Sequence, residues 1–438
     1  MPSAISSLPT EPNRTGDQGS VRYGPALTLL ASLFFMWGFI TVINNTLLPH
    51  LKSVFDLDYT QTTLIESVWF IAYFFASIPS TKLIEKVGYK RSLVIGLLTM
   101  AAGSFGMMLA ASIPSYYVTL VMLFVIASGI TLLQVAANPY VAVVGKPETA
   151  SSRLNLVQAM NSMGTWLAPF FGAYLILGRS KSGTTAVGTV LTPAERLADA
   201  HAVILPYGLV AVVLLILAIV IARFPLPAMT SDAPAARAKG KLINPELLKH
   251  RNLVFGIPAI FIYLIAEIGV ANLFVNFVSA PDIGNMTHEA AGNYLSFLWG
   301  GMMIGRFAGS ALMQRFDAAK VLAGFSIAAF VVAMVTVLAH GHVAMWALIL
   351  IGLCHSIMFP TIFTLAIRGL GPLTEEGSGL LIMAIAGGAL VIVQGWIADA
   401  YGLQASFLLT AACELYTLFY ALWGSKPTHV LPEQHPVD

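Results

Sequence analysis

Two side-chain amides interrupt the apolar run "LLQVAANPYVAVVG" (Leu132–Gly145): Gln134 and Asn138, with Pro139 directly after them. They lie four residues apart and therefore share one face of a helix. The segment "LNLVQAMNSMG" sets Asn155, Gln158, Asn161 and Ser162 mostly on one stripe. "VINNTLLP" supplies Asn44, Asn45 and Thr46 ahead of Pro49, and Asn272 and Asn276 repeat the four-residue spacing. An amide both donates and accepts hydrogen bonds, as a hydroxyl does. The set therefore suits a neutral, polyhydroxylated ligand. Any single amide serves equally well as glue between helices, worth roughly 0.6–2 kcal/mol; recurrence on several segments favours a site. Trp37, Trp69, Tyr73, Trp166, Tyr263 and Trp299 lie in the same runs and offer faces for a ring to stack on. Aromatic residues also form interfacial belts, so only a minority of the six are expected at a ligand. Trp346 and Trp423, near the ends of runs, read as belt residues.

Ionisable residues inside apolar runs are few: Glu66, Glu267, Arg306, His355 and Glu414. Such groups are costly at depth and functional by default. Glu267, in "YLIAEIGVANLF", is the deepest carboxylate and the first candidate for coupling a cation; Glu66 is the second. On a straight helix Glu267 and Asn272 face about 140° apart, so a shared site requires a bend, for which Gly269 is the candidate. Arg306, in "GRFAGS", reads as a gating residue and Glu414 as a structural pairing residue. His355 reads either as a buried hydrogen-bonding histidine or as a ligand or proton group. No nucleophile–base pair or metal cluster appears, so the chain is not expected to be an enzyme or to hold a cofactor. Cys354 and Cys413 provide neither a disulfide framework nor a C-x-x-C pair.

The elements that must position these groups are membrane spans. Of 438 residues, 57% are hydrophobic and only 10% charged, with a mean hydropathy of +0.79; soluble domains carry about 25% charged residues. About 20 apolar residues cross a bilayer as a helix, and twelve such runs are present, from 24–49 to 403–424. Residues 1–23 and 425–438 are polar and read as disordered tails. With the N-terminus placed in the cytoplasm, the great majority of the 23 Lys and Arg residues fall on the inner side. Both termini are then cytoplasmic. Pro114 marks a tight hairpin between the third and fourth runs. The net charge of +2 gives no reason to expect nucleic acid as a partner.

The longest polar inner stretch, 225–251, divides the runs into halves at 24–224 and 252–424. The halves echo each other. "LIEKVGYKRS" (Leu83–Ser92) follows the second run and "LMQRFDAAKV" (Leu312–Val321) the eighth, which aligns Lys86 with Arg315 and Arg91 with Lys320. These basic loops are expected to act on switching, by latching the inner ends of the halves. "QVAANPYV" matches "HSIMFPTI" in the tenth run, setting Pro139 opposite Pro360 and Gln134 opposite His355. The predicted fold is an all-α membrane protein of twelve transmembrane helices in two pseudo-symmetric six-helix bundles. Such halves hold their substrate at the midplane between them.

"LFFMWGFITVINNTLLPHLKSVF" (Leu33–Phe55), "LLQVAANPYVAVVG", "RLNLVQAMNSMGT" (Arg153–Thr165), "GRFAGSALMQRF" (Gly305–Phe316) and "FPTIFTLAIRGLG" (Phe359–Gly371) resemble the fucose/glucose/galactose permease branch of the major facilitator superfamily. The likeness covers nearly the whole chain apart from the tails and the linker. It implies a sugar importer of the bacterial inner membrane that works as a monomer in the bilayer by alternating access. Where the fucose permease carries acids, in the first span and before "AANP", this chain has Asn45 and Gln134. Gln before "VAANPY" resembles the glucose/galactose and N-acetylglucosamine members, so a neutral hexose or N-acetylhexosamine is implied. The acid in the seventh span resembles the glucose/galactose type and makes Glu267 the replacement for the missing carboxylates. Co-transport of a proton or sodium follows, with hexose uniport as the alternative. A hydrophobic-drug efflux pump and a non-transporting sugar sensor are the rivals from other classes.

Overall fold

The computed structural model describes residues 23–55, 59–112, 115–172, 201, 203–226, 228–230, 244–431 and 435–437. Within α1 and α2 the side chains of residues 43–64 and of Glu66 are not described. The expectations for Asn44, Asn45 and Glu66, and for Pro114, therefore lie outside the described residues.

The amino-terminal half comprises α1 (Tyr23–Phe55), α2 (Tyr59–Val87), α3 (Tyr89–Ser112), α4 (Tyr116–Val143), α5 (Ala150–Gly172) and α6 (Ile204–Arg223). The second half comprises α7 (Arg251–Ser279), α8 (His288–Leu312), α9 (Ala318–Leu338), α10 (Gly341–His355), α11 (Met358–Ile367), α12 (Thr374–Met383), α13 (Val391–Tyr401) and α14 (Leu403–Phe419). Two crossings of the second half are broken. One is split into α10 and α11; the other into α12, a 3₁₀ segment Ala384–Leu390, and α13. Every other crossing corresponds to one apolar run of the sequence, because a lipid-exposed backbone must satisfy its hydrogen bonds within its own helix. Polar side chains cap several starts: Ser115 on α4, Thr287 on α8 and Asp317 on α9.

Among the described residues ten helical stretches are long and apolar enough to cross a membrane. The exceptions are α5 and α8, diluted by the polar residues that face each other between the halves. In the first half α1 packs on α5 and α3 on α4 and α6; in the second, α14 packs on α7 and α9. The halves meet where α5 lies against α8 and α11, and where α12 lies against α2 and α4. Gly38 and Gly164 allow α1 and α5 their close approach: a Cβ on Gly38 would meet the Asn161 carbonyl oxygen at 2.4 Å, and one on Gly164 the Phe35 carbonyl oxygen at 2.3 Å.

The tail expected beyond Ser425 is not free in its described part. The Leu431 amide donates to the Gly369 carbonyl at 2.8 Å, and the Thr428 hydroxyl to the Lys249 carbonyl at 3.1 Å. His250 Nδ1 lies 3.1 Å from the His429 carbonyl oxygen, and Arg251 stacks over Trp423 at 4.5 Å. Two three-residue strands, Ala228–Thr230 (β1) and His435–Val437 (β2), pair antiparallel. Composition alone misses this because every contact joins the tail to residues distant in the chain.

Candidate functional site

Pro139 and Pro360 hold corresponding positions in the two halves, and each frees a backbone carbonyl four residues earlier. Proline has no N–H to donate there. Val135, released by Pro139, accepts from the Ser378 hydroxyl of the opposite half at 3.2 Å. Ser356, released by Pro360, accepts from Arg306 Nε at 3.0 Å. The consequences for the helices differ: α4 runs unbroken through Pro139 to Val143, whereas the tenth crossing breaks at Ser356–Ile357. Gly305 lets α8 press against that break, since a Cβ there would meet Ser356 Oγ at 2.2 Å. The break thus provides both the acceptor and the room that place Arg306.

Arg306 is only 7% exposed, although its neighbours in "GRFAGS" suggest a residue near a helix end. It reaches across the interface. One terminal nitrogen donates to the Gln158 carbonyl at 3.0 Å and to the Ser162 hydroxyl at 2.6 Å, both on α5. Glu267, on α7, acts on it electrostatically. Arg306 therefore joins the halves and also lines the cavity between them.

That cavity, about 690 Å³, lies within the usual range for small-molecule sites. Gln134, Gln158, Asn161, Asn272, Glu267 and Arg306 all line it, as do Trp37, Trp69 and Tyr73. Gln134 Nε2 donates to the Tyr73 hydroxyl at 2.7 Å and Asn161 Nδ2 to the Phe34 carbonyl at 2.9 Å, which leaves their oxygens as acceptors. Gln158 Nε2 donates to Asn138 Oδ1 at 3.3 Å. Asn138 is fully buried behind Gln158 and does not line the cavity, so it bears on that space through the Gln158 amide.

Other expected residues lie elsewhere. Asn276 is exposed, Trp299 is half-buried, and neither lines the cavity. Trp166 is exposed, and Tyr263 is buried with its hydroxyl on the His355 carbonyl at 3.0 Å. Gly269 leaves the helix unbroken. The helix α7 is continuous there, and a Cβ on Gly269 would meet Gln394 Oε1 at 1.8 Å, so the glycine admits a buried neighbour. Glu267 and Asn272 share the cavity because it wraps around α7. Thr41, Ser67, Phe70 and Phe359 also line it and were not singled out by sequence. The spacing of Trp37 and Thr41, and of Trp69 and Tyr73, is the same four-residue signal that marked the amides.

At the end of the bundle that carries the described chain termini the halves are closed on each other. Ser151 Oγ meets Thr364 Oγ1 at 2.6 Å, Ser152 Oγ donates to the Ser310 carbonyl at 2.8 Å, and Asn155 Nδ2 donates to Thr361 Oγ1 at 3.1 Å. The Ser77 hydroxyl donates to the Gly379 carbonyl at 2.5 Å. Among the described residues the ion pair that joins the halves at this end is Lys82–Glu376 at 3.1 Å. Lys86 and Arg91, expected as latches, are exposed and have no ion pair among the described residues; Arg315 has none either. The observed pair lies one turn earlier on α2, where the helix is still against α12. Replacing Lys82 with Met removes one partly exposed pair, worth about 0.2–1 kcal/mol. The expected result is a modest rise in the labelling rate of a cysteine introduced at this end, with ligand affinity nearly intact. An unchanged labelling rate would leave the closure to the hydroxyl contacts alone.

Deeper in the second half, His355 Nε2 lies 2.9 Å from Glu414 Oε1, with both side chains almost fully buried. The contact has an ion pair's distance but not a hydrogen bond's angle. Glu414 is thus paired, as its place in the last crossing suggests. No group of His, Cys, Asp and Glu able to hold a metal occurs among the described residues.

The sequence matches the Major Facilitator Superfamily profile over residues 29–393. It is 46% identical to a glucose/galactose transporter of Brucella abortus over 96% of this chain and 99% of that one. It is 34% identical to an L-fucose-proton symporter of Escherichia coli, over 94% of this chain and 95% of the relative. A crystal structure of the E. coli fucose:proton symporter superposes with a TM-score of 0.83 at 32% identity, covering 92% of this chain and 99% of that one. A crystal structure of a major facilitator transporter in the outward conformation gives the same TM-score at 33% identity, with the same coverage. The paired halves, the cavity between them and these likenesses agree: the chain is a multi-pass membrane transporter belonging to the major facilitator superfamily.

Proposed function

We propose that the chain imports a neutral hexose of the glucose/galactose type across the bacterial inner membrane, coupled to a cation, by alternating access. The observation that carries this reading is the chemistry of the cavity. Three amides from the first half, Gln134, Gln158 and Asn161, face Glu267, Asn272 and Arg306 from the second, with Trp37, Trp69 and Tyr73 beside them. The amides offer paired donors and acceptors to hydroxyls, and the indole and phenol rings offer faces to a pyranose. The excess of Lys and Arg in the inner loops supports cytoplasmic termini. With that orientation the closed end is cytoplasmic and the cavity belongs to an outward-facing state. The names of the relatives support the sugar and the symport. An N-acetylhexosamine fits the same donors and acceptors and is the alternative substrate.

Alternating access then has a physical description. Sugar entering from the outer side bonds to amides on one half and to charged groups on the other. Its differential contacts with the two states shift their populations. The Arg306 bonds to Gln158 and Ser162, together with the seal at the cytoplasmic end, must part for the cavity to open inward.

Gln134→Ala tests the reading. Losing one buried hydrogen-bond partner costs about 1–3 kcal/mol, so sugar affinity is expected to fall by roughly 5- to 150-fold while the protein still inserts and folds. Asn138→Ala is expected to act more weakly, through Gln158. Parental affinity in Gln134→Ala, measured by binding of labelled hexose to the purified chain, would remove the α4 amide from the site.

A further inference from the structure

A second cavity, about 400 Å³, lies between the halves at the terminus-bearing end. One wall is the end of α4 and the turn that follows it, through Gly145 and Glu148 to Ser151. The other wall is the turn between α8 and α9 together with the turn between α11 and α12. The cross-half hydrogen bond between Ser151 and Thr364 joins the two walls.

Four charged side chains line this space: Arg315, Arg368, Glu148 and Asp317. The acids are already engaged. Asp317 caps α9, accepting from the amides of Ala319 at 3.1 Å and Lys320 at 3.2 Å. Glu148 interacts electrostatically with Arg153. The two arginines have neither a side-chain hydrogen bond nor an ion pair among the described residues. The cavity is therefore lined by two exposed arginines without a side-chain partner among the described residues, one on each turn of the second half. A guanidinium fork matches phosphate oxygens in paired hydrogen bonds. Around them lie Gln314 and the hydroxyls of Ser151, Thr364 and Thr374, and the volume exceeds what one phosphate group fills.

We propose that this second cavity binds a phosphate ester with a hydroxylated body, held by Arg315 and Arg368, and that the bound ester keeps the terminus-bearing end shut. Its walls belong to different halves, so only the closed arrangement forms the site. A ligand that binds one state alone shifts the population towards it, and the coupling to any second ligand is reciprocal. Where the terminus-bearing end is cytoplasmic, which rests on the reading above, the ester acts as a brake on import. The reaction class that supplies such an ester is phosphorylation of the incoming sugar. Binding itself depends neither on orientation nor on transport.

The test uses the purified full chain. Unfolding midpoints and calorimetric titration are measured with glucose 6-phosphate, with inorganic phosphate and with glucose, for the parent and for Arg368→Gln. Parallel samples in phosphatidylglycerol and in phosphatidylcholine vesicles ask whether a lipid headgroup supplies the ester instead. The expected result is that glucose 6-phosphate, or phosphatidylglycerol, stabilises the parent beyond equimolar phosphate or glucose. In Arg368→Gln the affinity for that ester falls about tenfold or more, as for the loss of one charge-assisted pair. Glucose 6-phosphate trapped at the terminus-bearing face should slow sugar counterflow in the parent and spare it in Arg368→Gln, whose untreated rate matches the parent's. Three outcomes overturn the proposal: no ester binding by the parent, equal binding by Arg368→Gln, or inorganic phosphate as effective as the esters. Because the binding arm needs no transport, a chain that binds ester but moves no hexose would refute the proposed substrate and leave this site standing.

Discussion

Replacing Glu267 with Gln is expected to abolish concentrative hexose uptake in vesicles while preserving counterflow. A symporter needs a group whose charge or ion occupancy changes during the cycle. In the central cavity Gln134, Gln158, Asn161 and Asn272 cannot ionise, and Arg306 stays protonated under all ordinary conditions. Glu267 is the carboxylate among the described lining residues, and it acts electrostatically on Arg306, whose bonds to Gln158 and Ser162 span the halves. Neutralising Glu267 would change the balance that holds Arg306, which would link a proton on this group to the closure that must break. Sodium bound beside the carboxylate would have the same effect, since hard cations prefer oxygen ligands. An imposed proton or sodium gradient separates the two. Accumulation that survives in Glu267→Gln would remove this residue from coupling, and no accumulation in the parent would make the protein a uniporter.

Glu414→Ala is expected to destabilise the folded chain. Removing one partner of this buried pair leaves the other polar group without its neighbour in an apolar interior, at about 1–3 kcal/mol. The partner here is His355, whose carbonyl accepts from Tyr263 and whose neighbour Ser356 accepts from Arg306. The pair therefore adjoins the break in the tenth crossing and the carbonyl that holds Arg306. A double variant, His355→Leu with Glu414→Met, removes both polar groups together and should recover much of the loss, because an apolar replacement of a buried pair is often neutral. The check is the thermal unfolding midpoint in detergent for the single and double variants. A single variant as stable as the parent would show that the pair contributes nothing to the fold.

Much of this arrangement is legible in the sequence, for identifiable reasons. Membrane spans announce themselves because a lipid environment forbids polar interruptions, and the runs read from composition coincide closely with the helices. The amides of α4 and α5 stand out because they break that rule at helical spacing, and three of them do face the cavity. What sequence spacing cannot supply is depth behind a first layer. Asn138 shares a face with Gln134 yet lies behind Gln158, and Asn276 shares a face with Asn272 yet sits beyond the cavity. The break at Ser356–Ile357 is likewise unreadable: Pro139 and Pro360 match in register, but only the second crossing opens. Arg306 owes its central position to that break and to Gly305, not to its own neighbours in the chain. Lys86 and Arg91 resemble their counterparts in the second half, yet the ion pair between the halves forms at Lys82, because pairing depends on which residue α12 brings near.

The most direct measurement of the central claim is counterflow of labelled D-glucose in proteoliposomes, with competition by galactose and with Gln134→Ala and Gln158→Leu in parallel. The account predicts transient accumulation by the parent, competition by galactose, and sharply weakened counterflow in both variants at normal folded yield. Absence of counterflow with every neutral hexose tested, or parental counterflow in both amide variants, would contradict it.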